Sequence, residues 1–328
     1  MKGEEKQTGV IYGIVDFPFP LLCSADALGQ SVRVEIGGHV GKLILPSLPR
    51  ITSRSDVPSL PNLLGPLCTR GWERAEKKLY WGRVVSHPSN DSYVDLALLE
   101  FKFSERNAHV TAREIYSAVD SWLEHFGNFV TVLTKQNTYN YVSVDGSPDR
   151  VELFASFDSE FVSIPRSQKR VIKVELLDDD IALHLSQLRD ASRLASKGYV
   201  LKLEYELLLE AYKARRNNDY RKAIIEAANA IEAGLTTRIH EEFRRQKINF
   251  GKKLLNKYRM LGGRFELSRI LGISLPDKDY EKLIIEPRND VVHSRSFPTK
   301  LTARKAVDES ASLLSILVPK FYTDKVEQ

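Results

Sequence analysis

A long amphipathic run between Tyr220 and Gln246 constrains the fold of this chain more than any other stretch. Its apolar residues recur three and four positions apart, the spacing that places side chains on one face of an α-helix. These residues are Ala223, Ile224, Ala227, Ala230, Ile231 and Leu235. Because several of them are small, we expect a neighbouring helix to approach this face closely. The run therefore predicts a helical bundle around one long helix.

The sequence on either side of this run also predicts helices, joined by mostly short links. They are expected from Asp178 to Leu194, Tyr199 to Arg216, Phe250 to Leu261, Phe265 to Leu271, Asp277 through 286–294, and Thr302 to Phe321. We expect the acidic run 178–180 in a first turn, Gly262-Gly263 at the end of one helix, and Thr302 as a cap. Residues 199–328 thus predict an all-α bundle, and 166–198 a connecting segment with a helix.

The first half of the chain has β-type patterns instead. Strands are expected at Gly9–Phe17, in a hairpin between Ser31 and Pro46, at Leu79–Val85, Tyr93–Phe103, Phe129–Thr134, Tyr139–Val144 and Val151–Ile164. A helix is expected from Thr111 to His125, and the Pro- and Ser-rich stretch 46–71 predicts an irregular loop. The sequence therefore predicts a two-domain α+β chain, in which a β-rich recognition or scaffold domain (1–165) precedes the helical bundle.

Charge is divided unevenly between the two halves. From Tyr199 onward there are 25 Lys and Arg against 18 Asp and Glu, whereas the preceding residues have 23 against 25. The basic second half favours an anionic partner. The two cysteines, Cys23 and Cys68, exclude a disulfide framework and a cysteine-based zinc site, and no apolar run is long enough to cross a membrane. We therefore expect a cytoplasmic protein without a metal or cofactor.

The stretch 286–294 of the basic half holds the candidate catalytic residues Arg288, Asn289 and His293. On a helix, five positions rotate His293 by about 140° from Arg288 and move it about 7.5 Å along the axis. This separation prevents a direct contact but suits two groups that grip one substrate, or that meet their copies across a two-fold axis. Arg can hold a phosphate by two hydrogen bonds, and His exchanges protons near neutral pH. The pattern therefore indicates phosphodiester chemistry on RNA.

The second half resembles the HEPN superfamily. The resemblance rests on the pattern Asp-Tyr-Arg-x-Ala-Ile-Ile-x-Ala-x-x-Ala-Ile-Glu between Asp219 and Glu232, on the later Arg288, Asn289 and His293, and on the final apolar helix. It covers roughly residues 199–322. The first half resembles, only in outline, defence proteins that place a β-rich domain before a HEPN domain.

The resemblance implies a bundle of four or five helices that dimerises through the motif-bearing face and cleaves RNA without a metal, often as a toxin or antiphage effector. It implies that His293 is a general base or a general acid, that Arg288 stabilises charge on the phosphate, and that Asn289 holds a phosphate oxygen or orients the imidazole. Residues of a basic face could add contacts to single-stranded or tRNA-like RNA. These are Arg238, His240, Arg244, Arg245 and Arg295.

Two alternatives remain open at the level of sequence. In the first, Arg288 pairs with Asp290, Glu286 or an acidic residue on a neighbouring helix, and His293 caps a helix C-terminus. In the second, the domain is a nucleotide-binding, RNA-binding or dimerisation module without activity. Pro287, directly before Arg288, is expected to start or bend the helix at the motif.

Overall fold

The computed structural model describes residues 8–47, 81–84, 91–104, 108–136, 151–157, 160–163, 181–293 and 297–323. The chain divides into two compact units, Met1–Tyr199 and Val200–Gln328. The described part of the first unit consists mainly of strands with two helices, and that of the second unit consists mainly of helices. The expected α+β class is therefore confirmed. No helix in the described ranges is both long enough and apolar enough to cross a membrane.

An antiparallel sheet forms the centre of the first unit. Its strands are β1 (Thr8–Cys23), β2 (Ser31–Ile36), β3 (His39–Ile44), β4 (Gly82–Val84), β5 (Ser92–Ser104), β6 (Val151–Phe157) and β7 (Glu160–Ser163), in the order β2-β3-β5-β1-β6-β7, with β4 paired to β5. The expected β2–β3 hairpin is confirmed, and Gly37 and Gly38 both have positive φ as a two-residue turn requires. The prolines 18 and 20 do not end β1, since the ladder with β5 resumes at Leu21 after a register shift.

The helix predicted from Thr111 to His125, between β5 and β6, is longer than expected. Helix α1 runs from Ala108 to Thr134, so the predicted strand Phe129–Thr134 is wrong. Phe129 and Val130 are fully buried and continue the face of Trp122 and Phe126, whose rings stack at 5.1 Å. Burial of this continuous face outweighs the β preference of the valines and threonines. The predicted strand Val151–Ile164 is instead the hairpin of β6 and β7, and the stretches 46–71 and 139–144 lie largely or wholly outside the described residues.

Helix α2 spans Leu185–Ser196 and packs against α1 and β2 of the first unit. The acidic run 178–180 is not in its first turn, because residues 181–184 are not helical. Asp26 accepts the backbone N–H of Leu185 at 3.1 Å, and the Gln187 side chain accepts the N–H of the N-cap residue His184 at 3.0 Å. The predicted start was wrong because a histidine N-cap is not one of the usual cap residues and because Asp26 is distant in the sequence.

The second unit is a bundle around one central helix, as expected. Its elements are β8 (Val200–Leu201), α3 (Leu203–Arg216), α4 (Tyr220–Arg245), α5 (Gly251–Lys257), α6 (Leu261–Ile270), a π-helical turn (Glu281–Ile285), α7 (Glu286–His293), α8 (Lys300–Leu317) and β9 (Tyr322–Thr323). Helix α4 packs on α3, α6, α7 and α8. A Cβ on Gly234 of α4 would lie 2.7 Å from Leu314 Cδ1 of α8, which confirms the close helix approach.

Several helix boundaries of the second unit differ from the sequence prediction, including the start expected at Asp277, since residues 277–279 are not helical. Gly262 and Gly263 do not end a helix but lie inside α6, where a Cβ on Gly263 would lie 3.1 Å from the Tyr258 backbone. Helix α3 begins after β8 rather than at Tyr199. The cap of α8 is Thr299 rather than Thr302, because Thr299 Oγ1 accepts the N–H of Thr302 at 3.1 Å, and α8 ends at Leu317.

Candidate functional site

The motif helix α7 continues directly from the π-helical turn. The Glu286 N–H bonds to the Glu281 carbonyl, five residues back, and Pro287 follows as the second residue of α7. Proline lacks an N–H and its ring collides with the carbonyl four residues earlier in a regular α-helix. In the wider π turn the backbone bonds to the residue five positions back, so Pro287 is accommodated without this collision. Such turns frequently occur at functional sites. The α-helix therefore starts at the motif, as Pro287 indicates, and continues through Arg288 to His293.

One buried residue fixes α7 to the bundle. Val291 is 1% exposed and packs with Ile224 of α4 and with Ala303 and Ala306 of α8. Arg221 of α4 donates from Nη2 to the Val291 carbonyl at 2.6 Å, which satisfies a carbonyl in the last turn of α7. These contacts hold the backbone of the motif in place. The sequence prediction did not single out Arg221, although its position in the Asp-Tyr-Arg pattern was a signal.

Arg288 is half-buried, and its guanidinium is held by the residue that follows it. Nη1 donates to Asn289 Oδ1 at 3.2 Å. Arg288 forms no ion pair with any residue in the described ranges, so the alternative pairing with Asp290 or Glu286 is not seen there. The Asn289 carbonyl oxygen is thus used inside the motif, while its amide N–H groups remain donors for an anion.

His293 is exposed and is the last residue of α7, a position that the helix dipole makes favourable for a basic side chain. Within the described part of the chain it has neither a hydrogen bond nor an ion pair. Its ring also does not contact Arg288, because the two lie about 140° and 7.5 Å apart on the helix. A single protomer therefore presents the two groups on different sides of α7.

The predicted basic face near the end of α4 separates into two sets. Arg238 pairs with Glu241 at 2.8 Å, and Arg245 donates from Nε to both carboxylate oxygens of Glu242, at 3.0 and 2.9 Å. The hydrogen bonds from Arg245 lower the pKa of Glu242 to about 2, and the same bonds raise the pKa of Arg245. The charges of Arg238 and Arg245 are therefore partly neutralised.

The other set lines a surface groove between α4 and α5 of about 700 Å³, called the α4–α5 groove below. His240 and Arg244 were predicted, whereas Lys247 and Lys252 were missed because they follow the helix rather than share its face. Arg221 and Arg244 are 23 positions apart on α4, or about 35 Å. The structure thus places the motif and the groove at opposite ends of α4, and Arg295 lies outside the described residues.

Other reactive groups offer little chemistry in the part of the chain that is described. No three His, Cys, Asp or Glu side chains there are grouped so that they could hold a metal ion. Cys23 is fully buried in the first unit, and burial raises the pKa of its thiol. A thiol in this setting is a poor nucleophile.

Comparison with protein-family models, with curated proteins and with solved structures found no match for this chain. The motif on α7 and the α4–α5 groove are the two candidate functional features of the described chain.

Proposed function

We propose that the second unit is a HEPN-type bundle and that the protein is a metal-independent endoribonuclease. The observation that supports this most strongly is the motif helix itself. It is fixed by Val291 and Arg221, and it presents a pre-oriented guanidinium, Arg288, and an accessible imidazole, His293. A cation for phosphate and a proton carrier are the two groups that RNA cleavage by its own 2′-hydroxyl requires.

The proposed reaction is a transesterification. The 2′-oxygen forms a bond to the adjacent phosphorus while the bond from phosphorus to the 5′-oxygen breaks, leaving a 2′,3′-cyclic phosphate and a 5′-hydroxyl. His293 takes the proton from the 2′-hydroxyl or gives one to the departing 5′-oxygen. Arg288 stabilises the negative charge that grows on the phosphate oxygens. Asn289 orients Arg288 through its Oδ1 and offers its amide N–H groups to a phosphate oxygen.

A homodimer completes the site in this proposal. Because Arg288 and His293 point to different sides of α7, Arg288 of one protomer and the His293 of its partner act on the same phosphate. Exposed apolar side chains near the motif support this arrangement, since they suit burial against a second copy. They are Val292, Phe297 and Leu301, which are 41%, 87% and 59% exposed.

The proposed setting is the cytoplasm, and the proposed role is that of a toxin or antiphage effector acting on single-stranded or tRNA-like RNA. In this role the β-rich first unit is a recognition or scaffold domain. Such an effector harms its own host when active, so expression of the wild-type chain should slow growth and expression of the His293→Ala chain should not. Equal growth inhibition by both chains argues against the role.

A second candidate is an RNA-binding or dimerisation module without activity. The position of the α4–α5 groove favours it, because a cluster of cations about 35 Å from the motif can bind RNA with no help from His293.

Cleavage of single-stranded RNA in EDTA separates the two candidates. The wild-type chain should produce 2′,3′-cyclic phosphate ends, and Arg288→Ala and His293→Ala should each remove this activity without unfolding the protein. Lys282→Ala, which removes an exposed cation from the preceding π turn, is the matched control and should stay active. A wild-type chain that binds RNA but leaves it intact favours the module.

A further inference from the structure

The α4–α5 groove is cationic because its carboxylate neighbours are already paired elsewhere. Arg244, Lys247 and Lys252 are exposed, line the groove and form no ion pair with residues in the described ranges. No Asp or Glu is among the described residues that line it. The nearest carboxylates along α4, Glu241 and Glu242, pair with Arg238 and Arg245. Three positive charges therefore face one open depression whose described lining contains no carboxylate.

The backbone at Lys247 has a conformation that a small variant can relieve. Four described helices end in the same way, with a residue in the left-handed conformation after the C-cap and a bond from the following N–H back to the helix. That residue is Gly198 after α2, Asn218 after α3, Lys247 after α4 and Gly272 after α6, with φ of 67°, 59°, 56° and 74°. Gly and Asn tolerate this conformation, whereas Lys does not favour it. Lys135 at the end of α1 also has a positive φ, of 60°, so the conformation alone marks no site, but it allows Lys247 to be replaced by glycine without loss of stability.

Aromatic groups accompany these cations. The His240 ring is exposed and lies edge-on to the ring of Phe243, with 6.2 Å between the two ring centroids. Both residues line the groove. Phe250, directly between the lining residues Asn249 and Gly251, is 59% exposed. Cations that follow a phosphate backbone, together with aromatic faces on which bases stack, are typical of surfaces that bind single strands. At about 700 Å³ the groove also exceeds what one phosphate needs.

We propose that the α4–α5 groove is an anchoring site for single-stranded RNA, separate from the motif on α7. Arg244, Lys247 and Lys252 bind successive phosphates, and His240 and Phe250 stack on bases. The choice of RNA as the polymer rests on the proposed function, whereas the groove does not require the motif to be active. A stacked strand that reaches both sites of one protomer spans about 35 Å, or roughly ten nucleotides at 3.4 Å each.

Fluorescence anisotropy with the His293→Ala chain tests this site without cleavage. A labelled single-stranded RNA of 20 nucleotides should bind at least tenfold more weakly after Arg244→Gln and Lys252→Gln together. The slope of log affinity against log salt should fall by about 1.4, since each phosphate contact on a single strand contributes about 0.7. A labelled trinucleotide should bind weakly to every variant. Arg238→Gln is the matched control, because its charge is paired and lies outside the groove, and it should change the affinity less than twofold.

Lys247→Gly is the sharpest single variant. Glycine relieves the left-handed backbone, so the melting temperature should stay level or rise while RNA affinity falls by threefold or more. Asn218→Gly changes the equivalent position after α3 and should leave affinity unchanged. If RNA affinity is unchanged both in Lys247→Gly and in the Arg244 and Lys252 double variant, the proposal is overturned. Equal affinity for duplex DNA of the same length overturns it as well. Failure of the wild-type chain to cleave RNA would contradict the proposed function alone.

Discussion

The two ends of helix α4 differ in chemistry, although they belong to one continuous element. At the N-terminal end, Arg221 and Ile224 hold a short helix on which one guanidinium and one imidazole are presented. At the C-terminal end, Arg244 lies with two lysines in an open groove. The first arrangement fixes a few groups with defined hydrogen bonds, as chemistry on one bond requires. The second leaves several cations without an ion pair to any described residue, as binding of a polyanion requires.

The contrast between Arg244 and Arg245 shows how narrowly this difference is set. The two residues are adjacent, but Arg245 bonds to a carboxylate while the Nε of Arg244 reaches only the carbonyl of His240, at 3.4 Å. In the sequence alone, the two arginines contribute the same positive charge. Their neighbours decide which of the two is available to a ligand.

The largest expected effect is a loss of RNA cleavage from a change at the motif, near the N-terminal end of α4, without a loss of RNA affinity. His293→Gln should reduce cleavage by about 10²–10⁴-fold, the usual contribution of a general acid or base. Its affinity for a 20-nucleotide RNA should stay within twofold of the wild-type value, measured by anisotropy beside a cleavage assay. A parallel loss of affinity indicates that the motif and the groove are not separate sites.

The next effect concerns the anchor of the motif helix. Val291→Ala removes two buried methyl groups and should lower the free energy of unfolding by about 2 kcal/mol. Val110→Ala removes the same groups from a helical side chain of α1 that is 55% exposed and lies outside the proposed dimer face, and should cost less than about 0.5 kcal/mol. Chemical denaturation of both variants measures the difference. Equal costs show that α7 is not held by Val291.

A smaller effect is expected at Arg221. Arg221→Met keeps most of the apolar stem but removes the hydrogen bond to the Val291 carbonyl, with an expected cost of about 1 kcal/mol. Cleavage should fall with it, because the end of α7 that contains His293 loses its support. Lys222→Met, on the exposed side of the same turn, is the control for the lost charge. Arg221→Met with full stability and full activity contradicts this role.

The smallest effect is a pH dependence at the other end of α4. Because the folded-state pKa of Glu242 is lowered from 4.5 to about 2, its ionised form stabilises the protein above pH 4.5, and this contribution is lost as the pH falls toward 2. The difference in melting temperature between wild type and Glu242→Gln should be constant above pH 5 and shrink below 4.5. A difference that is the same at every pH contradicts the Arg245 pairing.

Sequence patterns predicted the elements that are specified locally. The spacing of Ala223 to Leu235 gave α4, and the Gly37-Gly38 pair gave the β2–β3 hairpin, because each signal lies inside the element it determines. The start of α2 was not predicted, since its N-cap is a histidine and the carboxylate that accepts the Leu185 N–H, that of Asp26, is 159 positions away. The strand prediction at Phe129–Thr134 failed because burial along α1 outweighed local β preference.

The same distinction holds for the candidate site. Arg288, Asn289 and His293 are close in sequence and lie on one helix, as predicted. The support from Arg221 is 70 positions away, and the groove depends on how the chain turns after Gln246. Charge in the sequence identified Arg238 and Arg245 together with Arg244, but only the folded chain shows that the first two are paired.

Complementation between two inactive variants tests the central claim most directly. If Arg288 of one protomer and the His293 of its partner act on one phosphate, a heterodimer of Arg288→Ala and His293→Ala chains contains one intact site of two. An equimolar mixture, unfolded and refolded together, should then regain about a quarter of wild-type cleavage, because half of the dimers are mixed. A mixture as inactive as each variant alone, with mixed dimers present, contradicts a site shared between protomers.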